Sequence, residues 1–148
     1  MLRSFAQACG MSARVPFRIL IVDDDVALGR VMREALSSQL DCEVDCSPNP
    51  EYAFELALKK RYALFIFDFS MPMMDGALLY HLLAKVFNHV NPPLVVPPLI
   101  LISGRGDEER ARDLLKEPGV RAFIAKPFPM NRLIENIRVH FPDLKTAG

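Results

Sequence analysis

No apolar run in the sequence approaches the roughly 20 residues a membrane helix needs. Residues 1–16 carry Arg3 and Arg14 but no hydrophobic stretch of the signal-peptide kind, so a cytoplasmic protein is expected. Charge of one sign is lacking too: 18 Lys and Arg balance 18 Asp and Glu. Non-specific binding to nucleic acid or a membrane surface therefore has no electrostatic support. Cysteine is scarce and odd in number, and Cys9, Cys42 and Cys46 lack metal or redox spacing. On one strand Cys42 and Cys46 would lie on the order of 13 Å apart, too far for a disulfide, and they read as two small buried hydrophobes. His81, His89 and His140 form no ligand cluster. Repeats and low-complexity segments are missing. The 148 residues suit one domain with a core able to fold unaided.

What is present is a set of short apolar runs, each closed by a polar residue. The central one is Tyr62-Ala-Leu-Phe-Ile-Phe-Asp-Phe-Ser70, bounded by Lys59-Lys60-Arg61 and Pro72. It reads as a strand buried on both faces, ending in the carboxylate of Asp68. Ile19-Leu-Ile-Val22 runs into Asp23-Asp24-Asp25, Leu99-Ile-Leu-Ile102 into Ser103, and Val120-Arg-Ala-Phe-Ile-Ala125 into Lys126. Cys42 to Cys46 is a weaker strand. In an open parallel sheet ligands bind at the carboxyl edge of the strands, so these ends would gather acids, a hydroxyl and an ammonium into one site.

Helices alternate with the strands. The first is expected from Val26 to about Leu40, with Leu28, Val31, Met32, Ala35 and Leu36 at helical spacing and Asp25 at its start. Asn49-Pro50 opens the second as cap and first helical position. Glu51 near its start and Lys59 to Arg61 near its end complement the dipole. After the turn-rich Met71 to Gly76 comes an amphipathic helix with Leu78, Leu79, Leu82, Leu83, Val86 and Phe87 on one stripe. Residues 91–98 hold four prolines and are expected as a stiff, extended linker. Asp107 is expected to cap a helix whose core face holds Ala111, Leu114 and Leu115. The last helix, about Met130 to Phe141, would bury Leu133, Ile134, Ile137 and Phe141. Five strands alternating with five helices demand an α/β fold: a parallel sheet, right-handed crossovers and helices on both faces.

Taken singly, the residues at the strand ends have plainer readings. Asp23 caps a turn, Lys126 is a solvated surface lysine, and Ser103 bonds its own backbone. Taken in order, Asp23-Asp24, Asp68 with Met71-Pro72 and Asp75-Gly76, Ser103, and Lys126-Pro127-Phe128 resemble the response regulator receiver domain, the chemotaxis-regulator-like module of two-component signalling. The resemblance runs from about Phe17 to Phe141. It divides the chain into an extension (1–16, with Met11 as an alternative start), a receiver domain (17–141) and a short tail (142–148).

The resemblance implies a flavodoxin-like doubly wound sheet of order 2-1-3-4-5 and a cis Lys126-Pro127 bond. It implies Mg²⁺ held directly by Asp24 and Asp68, through water by Asp23, and by the backbone carbonyl of Ser70. Three close carboxylates need such a counter-charge, and a hard divalent cation with oxygen ligands provides it. It makes Asp68 the phosphoacceptor, assisted by Lys126 and Ser103. Ser103 and Phe123 become the switch, Phe123 standing where a tyrosine is often found and lacking its hydroxyl. The partners implied are a sensor histidine kinase or a phosphotransfer protein. The output face is the fourth helix, fifth strand and fifth helix, near Arg105, Arg110, Arg112 and Arg121, serving a monomer or a dimer, with no direct nucleic-acid binding. Ser70 and Arg105 lie where the family tunes phosphoryl loss.

Two rival classes follow from the same residues. A receiver-fold binding module that never takes phosphate would have lost an Asp, the Ser or the Lys, and none is lost. A Mg²⁺-dependent phosphohydrolase commonly needs a second acid two residues after the nucleophile. Ser70 stands there, so turnover on a separate substrate is not expected.

Overall fold

A computed structural model of the chain describes residues 15–104 and 106–148. Cys9, Met11, Arg3, Arg14 and Arg105 lie outside the described residues. In chain order the elements are β1 (Arg18–Val22), α1 (Val26–Gln39), β2 (Glu43–Ser47), α2 (Pro50–Lys59), β3 (Leu64–Asp68), α3 (Gly76–His89), β4 (Leu99–Ser103), α4 (Glu108–Leu114), β5 (Val120–Ala125) and α5 (Met130–His140). The strands form one parallel sheet in the order β2-β1-β3-β4-β5. This is the doubly wound, flavodoxin-like arrangement anticipated above.

Strand alternation sorts the core into two layers. Leu20, Val22, Phe65, Phe67, Leu99 and Leu101 face α2 and α3, where they meet Ala53, Leu56, Leu79, Leu83 and Phe87. Ile19, Ile21, Leu64, Ile66, Ile100, Ile102 and Ile124 face α1 and α5, meeting Met32, Leu36, Leu133, Ile134 and Ile137. Every residue of β3 and β4 is buried. Helices on both faces leave these strands no solvent side, which is why their sequences are continuous apolar runs.

Three helix starts follow the capping chemistry. Asp25 Oδ1 accepts from Leu28 N at 3.1 Å, Asn49 Oδ1 from Tyr52 N at 2.8 Å, and Asp75 Oδ1 from Leu78 N at 2.7 Å. The fourth departs from expectation: Asp107 precedes α4 but makes no side-chain cap bond. Leu115 also lies outside the core at 37 % exposure, because α4 ends after seven residues. Val31 and Leu78 sit on the solvent edges of their apolar stripes. Strand β2 begins at Glu43, so Cys42 stands just before it. Both described cysteines are half-buried, and burial pushes the Cys42 thiol up to about 11, helped by Asp41. α5 ends at His140, and Phe141 is only half-buried, edge-on to Phe17 at 5.1 Å.

Residues 91–98 take no regular structure. They still pack: Leu94 and Val96 lie against the core, and Pro97 O accepts from the buried Tyr80 hydroxyl at 2.9 Å. The tail returns to the α1–β2 corner, where Asp41 N donates to Lys145 O at 2.8 Å and Ala147 N to Gln39 O at 3.1 Å. No described helix is long and apolar enough to cross a membrane.

Candidate functional site

The sheet sets its polar strand ends side by side. Val22 pairs with Phe67, and Asp68 with Ile102, so Asp23, Asp68 and Ser103 each stand at or just past the carboxyl end of neighbouring strands. Lys126 follows β5, and its backbone N–H donates to Ser103 O at 2.7 Å. Four segments that are far apart in sequence thus converge through register alone.

Asp23, Asp24 and Asp68 each present a carboxylate oxygen within 4.8 Å of the others. Asp23 and Asp68 are buried, at 3 % and 4 % exposure, whereas Asp24 is open to solvent. The Lys126 ammonium lies 3.1 Å from Asp23 Oδ2 and 3.4 Å from Asp68 Oδ2. Its hydrogen bond to Asp23 goes to Oδ1, at 3.5 Å, an oxygen that also accepts from Asp25 N at 2.8 Å. Among the described residues, Asp23 Oδ2 and Ser103 Oγ are buried with no hydrogen-bond partner.

This geometry perturbs the charges. Burial, and then the neighbouring Asp23 carboxylate, push the Asp68 carboxyl up to about 7, with the Asp24 hydrogen bond adding to the rise and Lys126 opposing it. For Lys126, burial favours the neutral amine, but Asp23 and Asp68 outweigh it and hold the ammonium above its usual value. One ammonium therefore does not neutralise the cluster, and a further cation bound by oxygen ligands would restore the ionised form of Asp68. The donor set fits such a cation: three carboxylates of one chain, two of them buried, that share a single ammonium among the described residues.

Asp25 caps α1 and supplies no ligand atom to the cluster. Ser70 is exposed, and its hydroxyl donates to Asp107 Oδ2 at 2.8 Å. The Lys126-Pro127 bond is cis. Phe123 is half-buried against the same apolar layer as Leu114 of α4. Arg112 and Arg121 are exposed, as is Arg110, whose guanidinium carbon lies 4.8 Å from the centre of the Phe69 ring and whose Nη2 is 3.7 Å from Asp75 Oδ2. Sequence reasoning anticipated neither these Arg110 contacts nor the Ser70–Asp107 bond, and no local signal announces a pairing across 37 positions. It also missed the tight seat of Gly76, where a Cβ would press into the main-chain carbonyl of Asp68. A cavity of about 530 Å³ opens at the amino ends of β1 and β2, lined by Phe17, Cys42, His140 and Phe141 among others, and holds none of the predicted site residues.

Fold and edge together define a class: a doubly wound α/β module with an acid cluster and a lysine at the carboxyl ends of its strands. The chain belongs to the response regulator receiver domain family, whose model matches residues 19–138. Among curated proteins it is 28 % identical over 120 residues to the transcriptional regulatory protein SrrA of Staphylococcus aureus, an alignment covering 81 % of this chain. The chain spans 46 % of the length of that relative. Among solved structures it resembles a CheY-like receiver domain protein from Methanospirillum hungatei, with TM-score 0.69, 25 % identity, and coverage of 87 % of this chain and 96 % of the other. A receiver domain from Clostridium thermocellum gives TM-score 0.71 at 20 % identity, over 86 % and 95 % of the two chains. The chain thus carries a receiver domain of two-component signalling.

Proposed function

We propose that this receiver domain, residues 17–141 between a 16-residue extension and a short tail, acts in the cytoplasm by taking a phosphoryl group on Asp68. An Asp68 carboxylate oxygen attacks the donor's phosphorus, a P–O bond forms to give an acyl phosphate, and the bond to the donor's leaving group breaks with its electron pair leaving on the donor. The donor is the phosphohistidine of a sensor kinase or of a phosphotransfer protein, or a small acyl phosphate. The step asks for positioning and charge neutralisation more than for covalent chemistry.

Each residue has a task. Asp23, Asp24, Asp68 and the Ser70 carbonyl would hold Mg²⁺. That ion, when bound, offsets the carboxylate repulsion and the charge of the phosphoryl oxygens. Lys126 pairs with a phosphoryl oxygen, which its reach to both buried carboxylates supports. The Ser103 hydroxyl gives a hydrogen bond. A buried hydroxyl without a partner costs about 1–3 kcal/mol, and a phosphoryl oxygen would relieve it. Inward movement of Ser103 draws residues 104–106 with it, Phe123 repacks beneath α4, and the face of α4, β5 and α5 changes what it docks, a downstream partner or a second copy. No separate substrate is turned over.

The observation that carries this reading is the convergence of the three carboxylates within 4.8 Å, with the Lys126 ammonium 3.4 Å from Asp68. The test is incubation with acetyl phosphate, or with beryllofluoride, plus Mg²⁺, alongside Asp68→Asn. Wild type should gain the mass of one phosphoryl group and show amide shifts from residue 103 to α5, and the variant should show neither. A wild type that gains no phosphate and does not bind the analogue would favour a phosphorylation-independent binding module.

A further inference from the structure

The start of α4 is fastened to the loop that leaves β3 at three points. Ser70 Oγ donates to Asp107 Oδ2 at 2.8 Å, Arg110 reaches Asp75 Oδ2 at 3.7 Å, and the Arg110 guanidinium stacks over the buried Phe69 ring at 4.8 Å. All three anchors on the loop side fall within seven residues after Asp68. On the helix side they are Asp107 and Arg110, the residue before α4 and its third residue.

Asp107 is the informative member. Before α1, α2 and α3 an Asp or Asn with extended ψ (96°, 153° and 161°) accepts from the amide three residues on. Asp107 has the side chain for that bond but sits at ψ −5° and makes none. Its carboxylate is bound to Ser70 instead. Ser70 engages only Oδ2, so the conflict lies in the backbone: a cap needs the extended ψ of Asp25, Asn49 and Asp75, and the Ser70 bond is made at ψ −5°. The two bonds compete.

We propose that Asp107 is a positioning residue with two settings, one in which it holds the Ser70 loop against α4 and one in which it lets go and caps α4. In the first setting α4 is short and its start is tied to the phosphoacceptor loop. In the second the tie is cut and the Asp107 carboxylate accepts from the first turn of α4. Residues 104–106 connect Ser103 to Asp107, so a displacement of Ser103 reaches this carboxylate over a three-residue span. The coupling to phosphorylation rests on the function proposed above, whereas the competition itself does not.

Hydrogen exchange on the ligand-free domain tests the competition directly. Ser70→Ala removes the donor and frees the carboxylate, so exchange at the Arg110 amide should slow by roughly three- to ten-fold, the range a gained cap gives. A merely structural contact would have the opposite sign, because losing it would loosen α4. The gain should vanish in Ser70→Ala/Asp107→Ala and persist in Ser70→Ala/Asp107→Asn, whose amide oxygen still caps. Unchanged or faster exchange in Ser70→Ala, or an equal gain in the double alanine variant, overturns the proposal. Beryllofluoride with Mg²⁺ should produce the same slowing in wild type. If the analogue binds, by its shifts around Asp68, and the Arg110 amide does not slow, the switch is not coupled to the site and that part falls. If the analogue does not bind, the phosphoacceptor reading falls, and the Ser70→Ala arm still decides the competition.

Discussion

Replacing Asp68 by Asn should make the metal-free protein more stable, and the gain should depend on pH in one direction only. In the folded chain Asp68 is raised from 3.8 to about 7 by burial and by Asp23. A carboxylate whose folded pKa exceeds its unfolded one favours the folded state when protonated. That contribution is complete below about pH 3.8, fades as pH rises and is gone above about 7. The shift corresponds to a ceiling of about 4 kcal/mol. Coupling to Lys126 and relaxation of the exposed Asp24 reduce the effective figure to about 1–3 kcal/mol. Asn keeps the shape and carries no charge. In EDTA at pH 8 the variant should therefore melt about 5–10 °C above wild type, by the usual conversion for a chain of this size.

The gap should narrow steadily toward pH 4. Far-UV circular dichroism is the natural probe, since the sequence contains no tryptophan. Added Mg²⁺ should close the gap from the other side by stabilising wild type alone, by about 1.4 kcal/mol at ten times its dissociation constant. A variant that melts at or below wild type at pH 8, or a gap that does not change between pH 5 and pH 8, would refute the charge-repulsion account of this edge.

Lys126→Ala removes the one ammonium, among the described residues, that faces both buried carboxylates. It should cost about 1–2 kcal/mol at pH 8, less than for a fully buried pair because Lys126 is partly exposed. The loss should be smaller at pH 5, where Asp68 is protonated, and urea titrations at the two pH values compare them. Ser103→Ala deletes a buried hydroxyl with no partner among the described residues. It should leave stability unchanged or raise it by up to about 1.5 kcal/mol while slowing phosphoryl gain from acetyl phosphate, and a loss above about 1 kcal/mol would mean the hydroxyl is satisfied. Gly76→Ala places a methyl against the carbonyl of Asp68 and Cβ of Phe67. It should cost about 1–3 kcal/mol by denaturant midpoint and disturb the Asp68 amide resonance, since main chain cannot rotate away as a side chain can.

The alternating pattern and the polar residue at each strand end made a parallel sheet with helices on both faces legible, along with the gathering of Asp23, Asp24, Asp68, Ser103 and Lys126 at one edge, while the doubly wound strand order came from the family resemblance. Caps were equally legible at Asp25 and Asn49, where side chain and target amide lie three residues apart. Local chemistry failed at Asp107. It has the side chain for a cap, but its backbone is helical and its carboxylate accepts from a serine 37 positions earlier. Leu115 was misplaced in the core for a related reason, since periodicity fixes which way a residue faces and not where its helix stops.

The sequence by itself determined which residues are apolar, how they alternate, and therefore that five strands and five helices must pack as layers with their polar ends on one side. Those properties are local, repeated many times and redundant, so no single position decides them. Tertiary structure alone decided the distances: how close Lys126 comes to two acids, that burial drives Asp68 up to about 7, and which partner Asp107 keeps. Electrostatic energies and hydrogen bonds change steeply over an ångström, and an ångström is set by the packing of the whole chain rather than by the spacing of letters within it.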